Sequence, residues 1–161
     1  MLRILLIALF CLPIVASAQG SKTREVTLPM GRMFSLFNSI AQLDGYDRAV
    51  KDGANERIVN EKYKFERGFR SAMSRNMSAL KPIIEAFDKE RQALQVEYGA
   101  HNCTATPSPE CIKFNIEERR LLALEHKASL FTIAEAELKL DQNPIPIAIL
   151  SALDPIMEYP Q

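Results

Sequence analysis

The sequence predicts an α+β protein, mostly α: a long antiparallel helical hairpin with a small β-sheet and a short C-terminal helix. Three observations carry that expectation. Met73, Leu80, Phe87 and Leu94 recur every seven residues, the spacing of an apolar stripe along one helix face. A second stretch of helical spacing follows Cys111, after a segment in which Pro107 and Pro109 exclude continuous helix. Polar and apolar residues alternate from Arg24 to Leu28, as in a short half-buried strand, and the strand formers Leu130 to Ile133 are expected to join the same small sheet.

Ahead of these elements, Met1-Leu-Arg3 is a short basic start and Ile4 to Val15 is an almost unbroken apolar run. Ala16-Ser17-Ala18 then precedes Gln19 as a small-residue cleavage signal. That layout is a secretory signal peptide over residues 1–18, and its apolar run falls short of the roughly 20 residues a membrane span needs. Phe10 is too bulky, and Pro13 too near, for Cys11 to head a lipoprotein. Residues 19–161 remain as a single α+β domain, long enough to bury a core, with a periplasmic or secreted location expected. The chain carries 20 basic and 20 acidic residues, so no electrostatic argument points to nucleic acid or an anionic membrane.

Each element has its own signal. Pro29 ends the first strand, and Met30 to Leu43 shows helical spacing through Met33, Leu36/Phe37, Ile40 and Leu43 before Asp44-Gly45 stops it. Tyr46 to Asn60 is charged, with a turn at Asp52-Gly53, and Ile58 to Phe65 is expected as a second strand pairing with the first. The long helix runs from Phe65 to Tyr98. Phe69, Met77, Ile83, Ile84 and Tyr98 widen its stripe, Gly99 stops it, and Pro82 is expected to kink or divide it. The next helix spans Cys111 to Glu125 through Ile112, Asn115/Ile116, Arg119 and Leu122. A short connection makes the two antiparallel. Lys127 to Ile133 is expected in the small sheet, Asn143-Pro-Ile-Pro146 as an extended connector, and Ile147 to Met157 as a last helix interrupted near Pro155.

Of three cysteines, Cys103 and Cys111 survive cleavage of the leader. An even pair in an exported chain is expected as one disulfide, pinching a turn between two helices. A metal site in which His101 joins both thiolates is the competing reading.

Catalytic chemistry is sparse, and neither a catalytic residue nor a cofactor or metal is assigned. His101 and His126 are the only histidines, and no phosphate-cradling glycine loop, nucleophile elbow or zinc motif is present. Glu85, Asp88, Glu117 and Glu118 allow an acid–base pair across a hairpin. They alternate with Lys81, Lys89, Arg91, Arg119 and Arg120, as on a solvated face. Arg57, Lys62, Lys64, Arg67, Arg70 and Arg75 form a basic cluster against Glu61 and Glu66, the candidate surface for an acidic protein or an envelope polymer. The interleaved Tyr63, Phe65 and Phe69 would make a stacking platform for nucleic acid if exposed, but Phe65 and Phe69 continue the helix stripe and are expected in the core.

The run Lys64-Phe65…Gly68-Phe69-Arg70…Asn76…Leu80-Lys81-Pro82…Glu85-Ala86-Phe87-Asp88-Lys89…Arg91…Leu94 resembles a set of small uncharacterised proteins of tailed phages and prophages. So do Phe114-Asn115…Glu117…Leu122 and Ile149-Leu150-Ser151-Ala152-Leu153-Asp154-Pro155. The resemblance spans about Val26 to Ile156 and implies a strand-plus-helical-hairpin fold with an accessory or assembly role. It implies no activity and no site residue. The leader and the cysteine pair depart from that pattern. The expected function is therefore an exported, non-enzymatic binding protein of phage or prophage origin in the cell envelope. The alternatives are a cytosolic phage assembly factor with a misplaced start and an envelope glycan hydrolase working through Glu85 or Glu117. The apolar residues Phe34, Phe37 and the 147–157 tail are compatible with a homodimer or with core packing.

Overall fold

A computed structural model describes residues 22–52, 55–100, 103 and 108–159. The leader, His101 and most of the cysteine loop lie outside the described residues.

The elements run β1 (Thr23–Pro29), α1 (Met30–Gln42), β2 (Tyr46–Asp52), β3 (Asn55–Glu61), α2 (Arg67–Glu97), α3 (Pro109–Ala123), β4 (Glu125–Phe131), β5 (Ile133–Ala134), α4 (Ile147–Leu153) and β6 (Met157–Glu158). The chain is α+β and mostly helical, as its periodicity predicts.

β1 and β4 form an antiparallel ribbon in which Thr23 lies opposite Phe131 and Pro29 opposite Glu125. α1 and α2 lie against it, α2 running along β4, and α4 packs on α1. Met30, Met33, Leu36 and Ile40 of α1 are buried at i, i+3, i+4 spacing. Phe69, Met73, Leu80, Ile84 and Phe87 of α2 meet them, with Leu130, Ile133, Leu138, Leu153 and Ile156 closing the core. The first helical amide of α1, that of Met30, donates to the carbonyl of Leu124 at 2.8 Å. An N-terminal amide that has no partner within its own helix is thereby satisfied, and α1 is tied to the end of α3.

Three expectations are corrected. The second strand is Asn55–Glu61, not Ile58–Phe65, and it pairs with Tyr46–Asp52 rather than with β1. Closing a hairpin between adjacent runs costs less entropy than reaching the first strand. Among the described residues the strands consequently form three two-stranded sheets, the third a parallel pair of β5 with β6 that the periodicity did not indicate. Finally, α2 continues through Pro82 without division. Pro82 and Ser78 are both exposed, so water can satisfy the Ser78 carbonyl that loses its partner.

α2 and α3 form the expected antiparallel hairpin. Gly99, at φ +63°, ends α2 in the left-handed conformation that glycine adopts without strain. The Ser108 hydroxyl caps α3 by accepting from the Cys111 amide at 3.3 Å, with Pro109 in the first turn. The end of this hairpin has a core of its own. Ala100, Cys111 and Phe114 are buried there against Leu94 and Tyr98, separate from the main core.

Candidate functional site

The six basic residues do not converge on one pocket. Arg57 is exposed on β3, in a hairpin that forms a two-stranded sheet of its own. Lys62 and Lys64 are exposed on the extended link from β3 to α2, and Arg67 opens α2. Lys62 lies 3.8 Å from Asp44, with both side chains mostly in solvent, a pairing of little energetic weight.

Arg70 and Arg75 are held by the fold. The Arg70 guanidinium donates to the Tyr63 carbonyl at 2.8 Å and to the Phe65 carbonyl at 3.4 Å, clamping the link onto the first turn of α2. The Arg75 guanidinium lies over the Phe131 ring, 5.2 Å from its centroid, within cation–π range. Helical geometry separates Arg70 and Arg75 by about 140° around α2. The start of α2 thus presents Lys64 and Arg67 outward, while its two other arginines hold the link and β4 in place.

Of the interleaved aromatics, Tyr63 and Phe69 are interior and Phe65 is half-buried against them. Tyr63 is 2% exposed and Phe69 1%. Their rings join a continuous row, Tyr46–Tyr63–Phe65–Phe69, with centroids 4.9, 5.6 and 4.3 Å apart. Burial pushes the Tyr63 phenol above its ordinary pKa. Beneath Arg70, a groove of about 280 Å3 is floored by Ile40, Phe65, Phe69, Met73 and Met77.

At the other end of α2, Cys103 and Cys111 are disulfide-bonded with Cα atoms 5.5 Å apart, as the cysteine count predicts. With both sulfurs committed to each other, neither is a thiolate ligand, and a cysteine pair so bonded is compatible with an oxidising compartment. The face that α3 buries differs from the expected one. Cys111 and Phe114 are buried and Leu121 and Leu122 half-buried, whereas Ile112 and Ile116 are about half exposed. Apolar residues lie on both sides of α3, so periodicity alone does not select the inward one.

Three of the four carboxylates read as an acid–base candidate are engaged in ion pairs. Glu85 lies 3.7 Å from Lys81 one turn earlier. Glu117 accepts from Arg120, and Glu118 accepts from Arg91 across the hairpin. Glu117 lines a groove of about 320 Å3 between α2 and α3, with Leu94, Leu121 and Leu124 as its apolar floor. His126 is half-buried in β4, opposite Leu28.

What sequence reading missed is a pair of buried asparagines. The Asn76 amide, on α2, is 0% exposed and binds both backbone groups of Phe131. Asn143, 2% exposed, accepts from the Lys64 amide and donates to the Leu138 carbonyl, each at 2.7 Å. For Asn76 the signal was a polar residue inside the apolar stripe of α2; Asn143, in a polar turn before Pro144, carried none.

Among the described residues, no helix is long and apolar enough to cross a membrane, and no three His, Cys, Asp or Glu side chains are grouped as metal ligands. Compared with known proteins, the chain matches no family model, no curated protein and no solved structure.

Proposed function

We propose that this is an exported, non-enzymatic interaction protein of phage or prophage type, acting in the cell envelope. It presents the α2–α3 arm and the basic surface at the start of α2 to a protein or envelope component. The observation that carries the reading is the arm itself. Its small core of Ala100, Cys111 and Phe114 is separate from the main core and is closed by the Cys103–Cys111 bond. A bond of this kind persists where thiols are oxidised, which supports the periplasm or the outside of the cell. The leader-like residues 1–18 support the same address. Ile112 and Ile116, one turn apart and half exposed, give the arm an outward apolar stripe of the kind protein partners cover. The ion pairs of Glu85, Glu117 and Glu118 favour a binding role over acid–base chemistry. The phage character rests on the resemblance of the helix-packing motifs.

The test is intact mass of the full-length protein expressed in a bacterium, with periplasm and cytosol assayed separately before and after reduction and alkylation. A periplasmic species beginning at Gln19 and lacking two hydrogens is expected. An unprocessed, reduced cytosolic species overturns the envelope reading and makes an intracellular assembly factor the better account. In the envelope, a photo-crosslinker at Ile116 or Arg67 should give one discrete adduct that a crosslinker at Glu85 does not.

A further inference from the structure

The β2–β3 hairpin is a seven-residue ribbon paired from Tyr46↔Glu61 to Asp52↔Asn55, and among the described residues neither strand joins another sheet. No other element shares an extensive contact with either strand. Its base is anchored by the Tyr46–Tyr63 ring contact and by the Tyr46 hydroxyl, which donates to Glu61 at 2.8 Å. A two-stranded ribbon without a third strand or a helix behind it is marginally stable in water. The outer edge of β3 is a row of backbone groups suited to strand addition. On that hairpin Ile58 is 67% exposed, a large aliphatic residue left in solvent.

We infer that the outer edge of β3 pairs antiparallel with the β3 edge of a second copy of this chain, about a two-fold axis at Val59. The sequence Arg57-Ile58-Val59-Asn60-Glu61 is self-complementary in this register. Val59 faces Val59 of the other copy. Arg57 faces the other copy's Glu61, and Glu61 its Arg57, so two opposite-charge pairs form at once on the face that Val59 shares. Glu61 also accepts the Tyr46 hydroxyl, and a carboxylate accepts several such bonds together. On the opposite face each Ile58 lies across from an Asn60 and diagonal to the other Ile58, within reach of a long aliphatic side chain. Two marginal ribbons become one four-stranded sheet, and a two-fold axis makes the contact isologous, so it closes at two copies.

The test uses the purified oxidised protein. Sedimentation across a concentration series should show a monomer–dimer equilibrium. Arg57→Glu places two like-charged pairs in the interface, as does Glu61→Arg, and each should weaken dimerisation roughly thirty-fold. Mixing the two variants restores both charge pairs and should restore a heterodimer. In this register the paired Cα atoms at Val59 lie within disulfide reach, so Val59→Cys should give a covalent dimer under mild oxidation. Circular dichroism checks that each variant folds. If the charge variants do not fold, the Val59→Cys crosslink decides alone. A protein that stays monomeric overturns the inference, as does a dimer indifferent to both charge reversals or one that Val59→Cys does not crosslink.

Discussion

Asn76 and Phe131 are joined by two hydrogen bonds from one side chain to one residue's backbone. The Asn76 Nδ2 donates to the Phe131 carbonyl at 2.9 Å, and the Phe131 amide donates to Asn76 Oδ1 at 2.7 Å. An amide side chain has the same donor and acceptor as a peptide group. Asn76 therefore acts as a neighbouring strand for the last residue of β4, presented from inside a helix. Asn76→Ala deletes both bonds and strands two backbone groups beside a new void. A loss of about 2–4 kcal/mol is expected, measured by urea unfolding. Asn76→Asp keeps the acceptor but turns a carboxylate oxygen toward the Phe131 carbonyl. It should destabilise most at neutral pH and recover as the carboxyl protonates.

Arg67 and Arg70 lie one turn apart and should respond differently. Arg70→Ala removes the bonds to the Tyr63 and Phe65 carbonyls and should cost about 1–2 kcal/mol. Arg67→Ala, exposed at the helix start, should stay within about 0.5 kcal/mol of the parent. Chemical denaturation of the two variants separates them, and Arg67→Glu then probes binding without disturbing the link.

Reducing the Cys103–Cys111 bond, or replacing both cysteines by serine, should cost about 2–3 kcal/mol by the chain-entropy argument for so short a loop. The effect should be local. Hydrogen exchange is expected to rise at residues 94–100 and 111–114, in the core of the arm, while Leu36, Leu80 and Leu130 in the main core keep their protection. Uniform acceleration through both cores would show that the arm does not open by itself.

Glu66 accepts a hydrogen bond from Lys139 in an ion pair joining the start of α2 to the turn after β5. The hydrogen bond, and then the ammonium charge, hold the Glu66 carboxyl below its ordinary pKa. A depressed carboxylate pKa stabilises the fold above the unfolded-state value. That contribution fades as the pH falls through the folded-state value. Carboxyl NMR should place the Glu66 midpoint below an ordinary glutamate, and Lys139→Met should move it upward.

The parts of this fold written in local periodicity were legible. The stripe from Phe69 through Leu80 to Phe87, the Met33–Ile40 row, and the glycine and proline stops gave α1, α2 and the hairpin of α2 with α3. Pairing was harder. Ile58 to Phe65 has strand-forming residues, but Tyr63 is buried by its rings rather than by a ladder, and Asn55–Glu61 was claimed by its sequence neighbour β2. The face of α3 was ambiguous because Ile112 and Ile116 lie one turn apart on one side, while Cys111, Phe114 and Leu121 repeat at helical spacing on another. For the basic cluster, composition located the charge. It did not reveal that Arg70 is occupied by backbone carbonyls and Arg75 by an aromatic ring, since those partners are set by tertiary packing.

Opposing Thr23 to Phe131 has a consequence for the order in which the molecule is completed. The first strand waits for its partner while both hairpins and three helices are made, and the loop it closes spans most of the described chain. A polypeptide delivered N-terminus first, whether from a ribosome or through a narrow channel, emerges with β1 in hand and nothing to pair it with. The join comes late and is made once. Thereafter the first strand is fastened to a late part of the chain, and because Thr23 and Phe131 sit at the same end of an antiparallel ladder, drawing those two residues apart peels β1 from β4 pair by pair.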